Sequence, residues 1–304
     1  MASTRTLLIG TRSSKLARWQ SDWASAELVR AWPGLDIQLQ PFTTTGDRLL
    51  DKPLPAIGGK GVFTEELENA LRAGEIDLAV HSLKDLPIEG APGLALGAIG
   101  WRADARDILI ARDSRTFFDL PPGARLGTSS VRRAAQLLAA RPDLTLLPLR
   151  GNVDSRVRKA LSGDYDAIVL AAAGVQRLGL DEHISQYLPF ELMLPAPGQG
   201  AIAVQCRAGD DDVLNFLRPL DDGETRAAVT AERAFLAGLG GGCIAPIAAY
   251  ASPGVGPALA LTGLVASADG RRVIRVVGTG DDPQALGVDL AERALAQGAR
   301  ELLA

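Results

Sequence analysis

Short apolar runs alternate with amphipathic stretches through most of this chain, and that alternation admits few folds. A brief β-forming run followed by a helix of three-to-four periodicity is the unit of an α/β layer with largely parallel strands. The first run is Leu7-Leu8-Ile9. Ser13 or Ser14 then caps a helix in which Leu16, Trp19, Trp23, Ala26 and Val29/Arg30 recur on one side until Pro33-Gly34 stops it. LDIQLQPF (35–42) alternates as a strand, and the glycine-rich AIGGKG (56–61) leads to a helix around 63–74 whose Phe63, Leu67, Ala70 and Leu71 share a face. Further strands are expected at 76–80, 94–99, 107–111, 144–149, 166–171 and 201–206, with helices near 130–140, 153–161 and 210–218. The expected class is therefore α/β, doubly wound.

After the DDGE turn (221–224) the order changes to a helix (224–237), a glycine-rich loop, strands near 246–251, 258–266 and 272–278, and a C-terminal helix (283–303). Helix, adjacent strands, helix reads as a small α+β domain with its boundary near 220. A chain of 304 residues suits two or three domains at roughly 100–200 residues each. Apolar residues make up 47% and charged residues 22%, which excludes disordered and collagenous classes, and a net charge of −4 argues against nucleic acid as the main partner. Two cysteines and two histidines, none at close spacing, give no structural metal site. No apolar run approaches a membrane span, and the N-terminal stretch lacks the pattern of an export signal, so a reducing cytoplasm is expected. The basic residues are 27 Arg and only 5 Lys, a balance that either codon usage or a need for planar carboxylate clamps would produce.

Several segments place anion-binding side chains where strands end and helices begin. TRSSKLA (11–17) sets Arg12 and Ser14 at such a junction, where backbone N–H groups and the helix dipole favour an anion, though an ordinary serine cap reads the same way. HSLKDLP (81–87) leaves Ser82, Lys84 and Asp85 just past a buried strand, the usual ligand position of open α/β sheets. GTSSVRR (127–133) repeats the first arrangement with Thr128, Ser129, Ser130, Arg132 and Arg133. Adjacent helical arginines point about 100° apart, so both reach one ligand only if it is extended or wraps the helix end. LRGNVDSRVRK (149–159) puts Arg150 past a strand, caps a helix at Asn152 and places Arg156 in its first turns, while Arg177 and Gln199 add further polar candidates. Cys206 reads as a small core residue, whereas Cys243, in the glycine run LGGGC (239–243), need not be buried and offers an attachment point. The set describes a polyanion site, and no P-loop pattern points to nucleotide hydrolysis.

Taken in order, TRSS, GGKG, HSLKD, GTSSVRR, LRGNVDSR, PGQG, TAER and GGC resemble the porphobilinogen deaminase family, the hydroxymethylbilane synthases, from Thr11 to beyond Cys243. The resemblance implies two domains like periplasmic binding proteins around a cleft, residues 1–99 with 200–219 and residues 100–199, plus a small α+β domain, 220–304. It implies head-to-tail joining of porphobilinogen into 1-hydroxymethylbilane with release of ammonia, on a covalent dipyrromethane primer carried by Cys243. Asp85 then takes the catalytic role, holding pyrrole N–H groups and stabilising the cation left when ammonia departs. The matching positions for primer and substrate binding are Arg12, Ser14, Gln20, Lys60, Ser82, Lys84, Thr128, Ser129, Ser130, Arg132, Arg133, Arg150, Arg156, Arg177 and Gln199. The expected partner is the small-molecule substrate alone, with neither nucleic acid nor membrane, and the expected state is a monomer. A solute-binding protein for a small polyanion is the competing reading; it predicts an export signal and gives no reason for a third domain or its GGC loop.

Overall fold

The computed structural model describes residues 6–48, 62–241, 245–254, 256 and 258–303. They form two compact units, Met1–Arg102 with Ala201–Arg226, and Ala103–Gly200 with Ala227–Ala304.

In the first unit, β1 (Thr6–Arg12), β2 (Asp36–Phe42), β3 (Leu78–Ser82), β4 (Leu94–Ile99) and β10 (Ile202–Arg207) make one sheet in the order β2-β1-β3-β10-β4. β1 runs parallel to β2 and β3, while β10 is antiparallel to both β3 and β4. The largely parallel sheet read from the sequence therefore carries one reversed strand. The cause is connectivity: the chain leaves β4 and returns into β10 side by side, with Gly100 N donating to Ile202 O at 2.9 Å, and neighbours entered from opposite ends need no crossover helix.

Alternation along these strands feeds two cores. Leu7, Ile9, Val80 and Val204 meet Ala24 and Leu28 of helix Lys15–Ala31 and Val213 and Leu217 of helix Asp211–Leu217. On the opposite face Ile76 and Ala79 meet Leu67, Ala70 and Leu71 of helix Glu65–Ala73. Each buried leucine contributes about 1.5–3 kcal/mol, and both faces are covered, as a doubly wound sheet requires.

The second unit holds a similar sheet, order β7-β6-β8-β5-β9, built from β5 (Asp107–Ala111), β6 (Arg125–Gly127), β7 (Thr145–Leu147), β8 (Ala167–Ala171) and β9 (Gln186–Tyr187). β5 is the reversed strand here, antiparallel to β8 and β9. Strands β6 and β9 are too short to show a period, and the sequence reading lacks them. Leu109 and Ala111 face helix Val131–Ala140, while Ile108 and Ile110 face helix Val153–Leu161. A separate antiparallel sheet, β11 (Ile247–Pro253), β12 (Leu259–Ala266) and β13 (Val273–Gly280), packs on helices Gly223–Gly238 and Pro283–Ala296 through Phe235, Leu261, Val276 and Leu290. The C-terminal helix, expected to run on to 303, stops at Ala296 and resumes as Ala299–Leu302. The other face of that sheet gives Ala248, Leu264 and Ala266 to a cluster with Ala135 and Leu194. No helix among the described residues is long and apolar enough to cross a membrane.

Candidate active site

In the first unit the parallel strands β1 and β3 end on the same edge of the sheet, with Arg12 and Ser82 as their last residues. Ser14 caps the following helix, its Oγ accepting from Ala17 N at 3.3 Å, and the Arg12 guanidinium lies 4.4 Å over the Phe63 ring, a cation–π contact. Gln20, buried on the same helix, donates from Nε2 to Ser82 Oγ at 2.8 Å and so ties that helix to the end of β3. Leu83–Asp85 then form one tight turn, closed by Leu86 N to Leu83 O at 3.1 Å and held to the neighbouring strand by Leu83 N to Ala201 O at 3.0 Å. Leu83 is fully buried, Lys84 half-buried and Asp85 exposed. The buried leucine is thus the anchor that sets the Asp85 carboxylate at the surface on a fixed backbone. Beneath the turn, His81 is buried; burial, with Arg12 adding to it and Gln205 opposing, pushes its imidazole down to about 4.

The second unit repeats the design. Ser130 caps helix Val131–Ala140, its Oγ accepting from Arg133 N at 3.4 Å, and Thr128 Oγ1 accepts from Ser130 N at 3.2 Å. Ser129 Oγ donates to Leu149 O and accepts from Leu149 N, both at 3.0 Å, which joins this turn to the strand end that precedes Arg150. Arg132 and Arg133, expected from the sequence to bind primer and substrate, are buried side by side against Asp107. Arg133 donates from Nη2 and Nε to Asp107 Oδ1 at 2.7 and 3.2 Å and from Nη1 to Val169 O at 3.1 Å. Arg132 Nη1 lies 2.8 Å from Asp107 Oδ2 and donates to Leu194 O at 2.6 Å. Burial alone would raise the Asp107 carboxyl, but the two guanidiniums outweigh it and hold the group well below the usual carboxylate range; burial in turn lowers Arg132.

Gln199 joins the same hub. It is buried, and its Nε2 donates to Ala105 O at 2.8 Å and Asp107 Oδ1 at 2.9 Å. The flanking Gly198 and Gly200 take φ of +76° and +92°, the left-handed region that a side chain would strain. Gly198 N donates to Glu232 Oε2 at 2.7 Å, and the other oxygen of that fully buried carboxylate accepts from Ala251 N at 2.8 Å. Arg177 donates to Gly200 O at 2.8 Å, and burial pushes its guanidinium down to about 10. Arg156 Nε reaches back to Gly151 O at 2.7 Å, and Lys159 Nζ donates to Arg150 O at 3.1 Å. Asn152 occupies the cap position of its helix, yet its side chain makes no capping bond. Cys206 is buried, as expected of a core residue, with its thiol pushed up to about 11. Cys243 and Lys60 lie outside the described residues.

Arg12, Ser14, Gln20, Ser82, Lys84 and Asp85 are thus gathered at one sheet edge, and Thr128, Ser129, Ser130, Arg132, Arg133, Arg150, Arg156, Arg177 and Gln199 belong to the other unit. Sequence reasoning missed Asp107 and Glu232. Each left a faint signal: Asp107 opens an otherwise apolar strand, and Glu232 falls on the core stripe of its helix with Ala228, Phe235 and Leu239.

The chain matches two family models, "Porphobilinogen deaminase, dipyromethane cofactor binding domain" over residues 7–215 and "Porphobilinogen deaminase, C-terminal domain" over residues 226–296. It is 54% identical over 301 residues to a porphobilinogen deaminase of Roseiflexus sp. (strain RS-1), covering 99% of each chain. A porphobilinogen deaminase of Brevibacillus brevis is 50% identical over 296 residues, covering 97% of this chain and 96% of the relative.

Proposed function

The chain belongs to the porphobilinogen deaminase family, and from that premise we propose that it joins porphobilinogen units head to tail into 1-hydroxymethylbilane, releasing one ammonia at each addition. The observation that carries this reading is the agreement of both family models over residues 7–215 and 226–296, nearly the whole chain. The donor set fits a covalent dipyrromethane. Each pyrrole bears an acetate and a propionate, and the two strand-to-helix edges supply guanidiniums, hydroxyls and capped helix starts, the chemistry that carboxylates require. When bound through Cys243, the dipyrromethane supplies the free pyrrole carbon from which the product grows.

The chain's own residues do the rest. Asp85 presents an exposed carboxylate on a turn fixed by Leu83; it accepts pyrrole N–H groups and offsets the positive charge that develops on porphobilinogen as its C–N bond breaks and ammonia leaves. Lys84 and Ser82 beside it, with Arg12 and Ser14 on the neighbouring strand end, take carboxylates of the incoming substrate. Thr128, Ser130, Arg150, Arg156 and Arg177 hold carboxylates in the second unit, and Lys60 adds a cation. Gln20 orients Ser82 by its 2.8 Å bond, and Ser129 and Gln199 brace the segments that carry the arginines. We also place the protein in the cytoplasm as a monomer: a thiol that must be free to take up a primer favours a reducing compartment.

The test is the intact mass of the purified chain, followed by fragmentation of the peptide that contains Cys243. An excess equal to two linked pyrroles on Cys243 is expected. A chain without that excess, which also never gains it on incubation with porphobilinogen or preformed 1-hydroxymethylbilane, overturns the reading.

A further inference from the structure

Two guanidiniums against one carboxylate leave the Asp107 cluster with a net positive charge in a place where water scarcely reaches: Asp107 is fully buried, and Arg132 and Arg133 are 5% and 7% exposed. Such a cluster is costly without a second anion. The two guanidiniums spend their donors differently. Arg133 spends its Nε–Nη2 fork on Asp107 Oδ1 and its Nη1 on Val169 O, so every nitrogen it owns is committed inside the protein. Arg132 commits Nη1 to Asp107, Leu194 O and the Met193 sulfur, and its Nε and Nη2 make no hydrogen bond to the described residues. Nε with Nη2 is the side-on fork that grips a carboxylate in two parallel bonds.

We propose that Asp107 is a positioning residue: it consumes the fork of Arg133, takes Arg132 by Nη1, and thereby turns the fork of Arg132 toward a carboxylate of porphobilinogen or of the growing chain. Gln199 donates to the oxygen that Arg133 also uses, which fixes the carboxylate's rotation and hence the direction of Arg132. Arg132 is the ligand-facing member of the pair and Arg133 the structural one, a division the sequence GTSSVRR does not contain. The inference rests on the reading of this end of the second unit as a carboxylate site.

The experiment measures competitive inhibition of the holoenzyme by a pyrrole that keeps the acetate and propionate of porphobilinogen but lacks its aminomethyl group. Two counterparts, each with one acid replaced by methyl, are measured beside it. In the unaltered enzyme one of the two counterparts binds about tenfold or more weakly than the diacid, the worth of one bidentate contact. Asp107→Asn is expected to weaken the diacid and spare that counterpart, bringing their ratio close to one, and Arg132→Lys is expected to do the same. Arg133→Lys should lower thermal stability and leave the ratio nearer its original value. A purely structural Asp107 would weaken every ligand in proportion and leave the ratio unchanged, which overturns the inference. If Arg132→Lys also leaves the ratio unchanged, the carboxylate reading of this end falls with it; if Arg132→Lys removes the ratio and Asp107→Asn does not, only the role of Asp107 falls. Should Asp107→Asn fail to fold, Asp107→Glu decides by the same assay, since it keeps the charge and moves it by one methylene: a changed ratio supports the inference and an unchanged one overturns it.

Discussion

Replacing Glu232 with glutamine alters one charge and one hydrogen-bonding group in a place where neither change can be absorbed. The carboxylate is fully buried, and its two oxygens accept separately from Gly198 N at 2.7 Å and Ala251 N at 2.8 Å. Glutamine offers one oxygen, so whichever way its amide turns, one backbone N–H faces an NH₂ group. A hydrogen bond to a charged acceptor contributes about 1.5–3 kcal/mol, and a buried donor left unpaired costs about 1–3 more, so Glu232→Gln should cost about 3–5 kcal/mol. Two of the groups affected are the Gly198 and Ala251 amides, which suits hydrogen exchange followed by mass spectrometry on peptides spanning 195–200 and 247–253. When opening limits exchange by its equilibrium, a loss of about 3 kcal/mol speeds it roughly a hundredfold. All four tryptophans, Trp19, Trp23, Trp32 and Trp101, lie in the first unit, so their fluorescence serves as an internal control that should barely move. Exchange at both peptides within about threefold of the unaltered protein would refute the clamp.

Three further perturbations probe other links. Gly270, at φ +72°, packs so tightly on helix Val131–Ala140 that a Cβ would lie 2.4 Å from Ala135 O and 2.6 Å from Ala139 N, so Gly270→Ala should cost about 2–4 kcal/mol and lower the urea midpoint of the second unit; an unchanged midpoint would show that the packing yields. His81, held down to about 4 against an ordinary 6.5, stays neutral in the native state while the unfolded chain takes up the proton. Its contribution is therefore full above pH 6.5 and lost as pH falls toward 4, with a ceiling of about 3 kcal/mol; tryptophan-monitored urea unfolding at pH 7 and 4.5 should show this loss, and His81→Asn should flatten it. Asp85→Ala should leave the urea midpoint unchanged and lower porphobilinogen turnover about a hundredfold to a thousandfold, and normal turnover would remove the residue from the mechanism.

The periodicity of the chain carried most of the architecture because each helix and long strand buries a stripe that its own residues announce. Leu109 and Ile110 sit next to one another in sequence and face opposite cores, and such alternation is legible in the order of the residues themselves. Direction was not visible. Whether Ile202–Arg207 runs with or against its neighbours depends on where the chain re-enters the sheet, a property of connectivity that no local pattern records. Short strands such as Gln186–Tyr187 are held by their partners rather than by propensity, and they left no trace either. At the candidate site, residues on strand ends and helix starts were legible because position and side-chain chemistry coincide there, as with Ser14 and Ser130. The carboxylates that organise them were not, because an aspartate opening a strand and a glutamate in a helix are ordinary in sequence and become singular only when burial and two partners are known.

The arginine excess illustrates the same limit. Read from the sequence, 27 arginines beside 5 lysines suit a ligand rich in carboxylates. The structure divides them. Arg207 bridges Asp77 and Asp210 at 2.8 and 2.9 Å while donating to the carbonyls of Leu71 and Ile76, and so closes the turn that precedes β3. Arg141 binds Asp143 and reaches the carbonyls of Phe117 and Leu120. One planar fork holds two or three fixed acceptors at once in each case, which a lysine ammonium on a flexible stem does less well. The excess is therefore a property of how the fold closes its loops as much as of what it binds, and composition alone cannot separate the two. What separates them is the accounting of donors at each guanidinium: among the described residues every nitrogen of Arg133 has a protein partner, whereas Arg132, its neighbour in sequence, uses Nη1 alone.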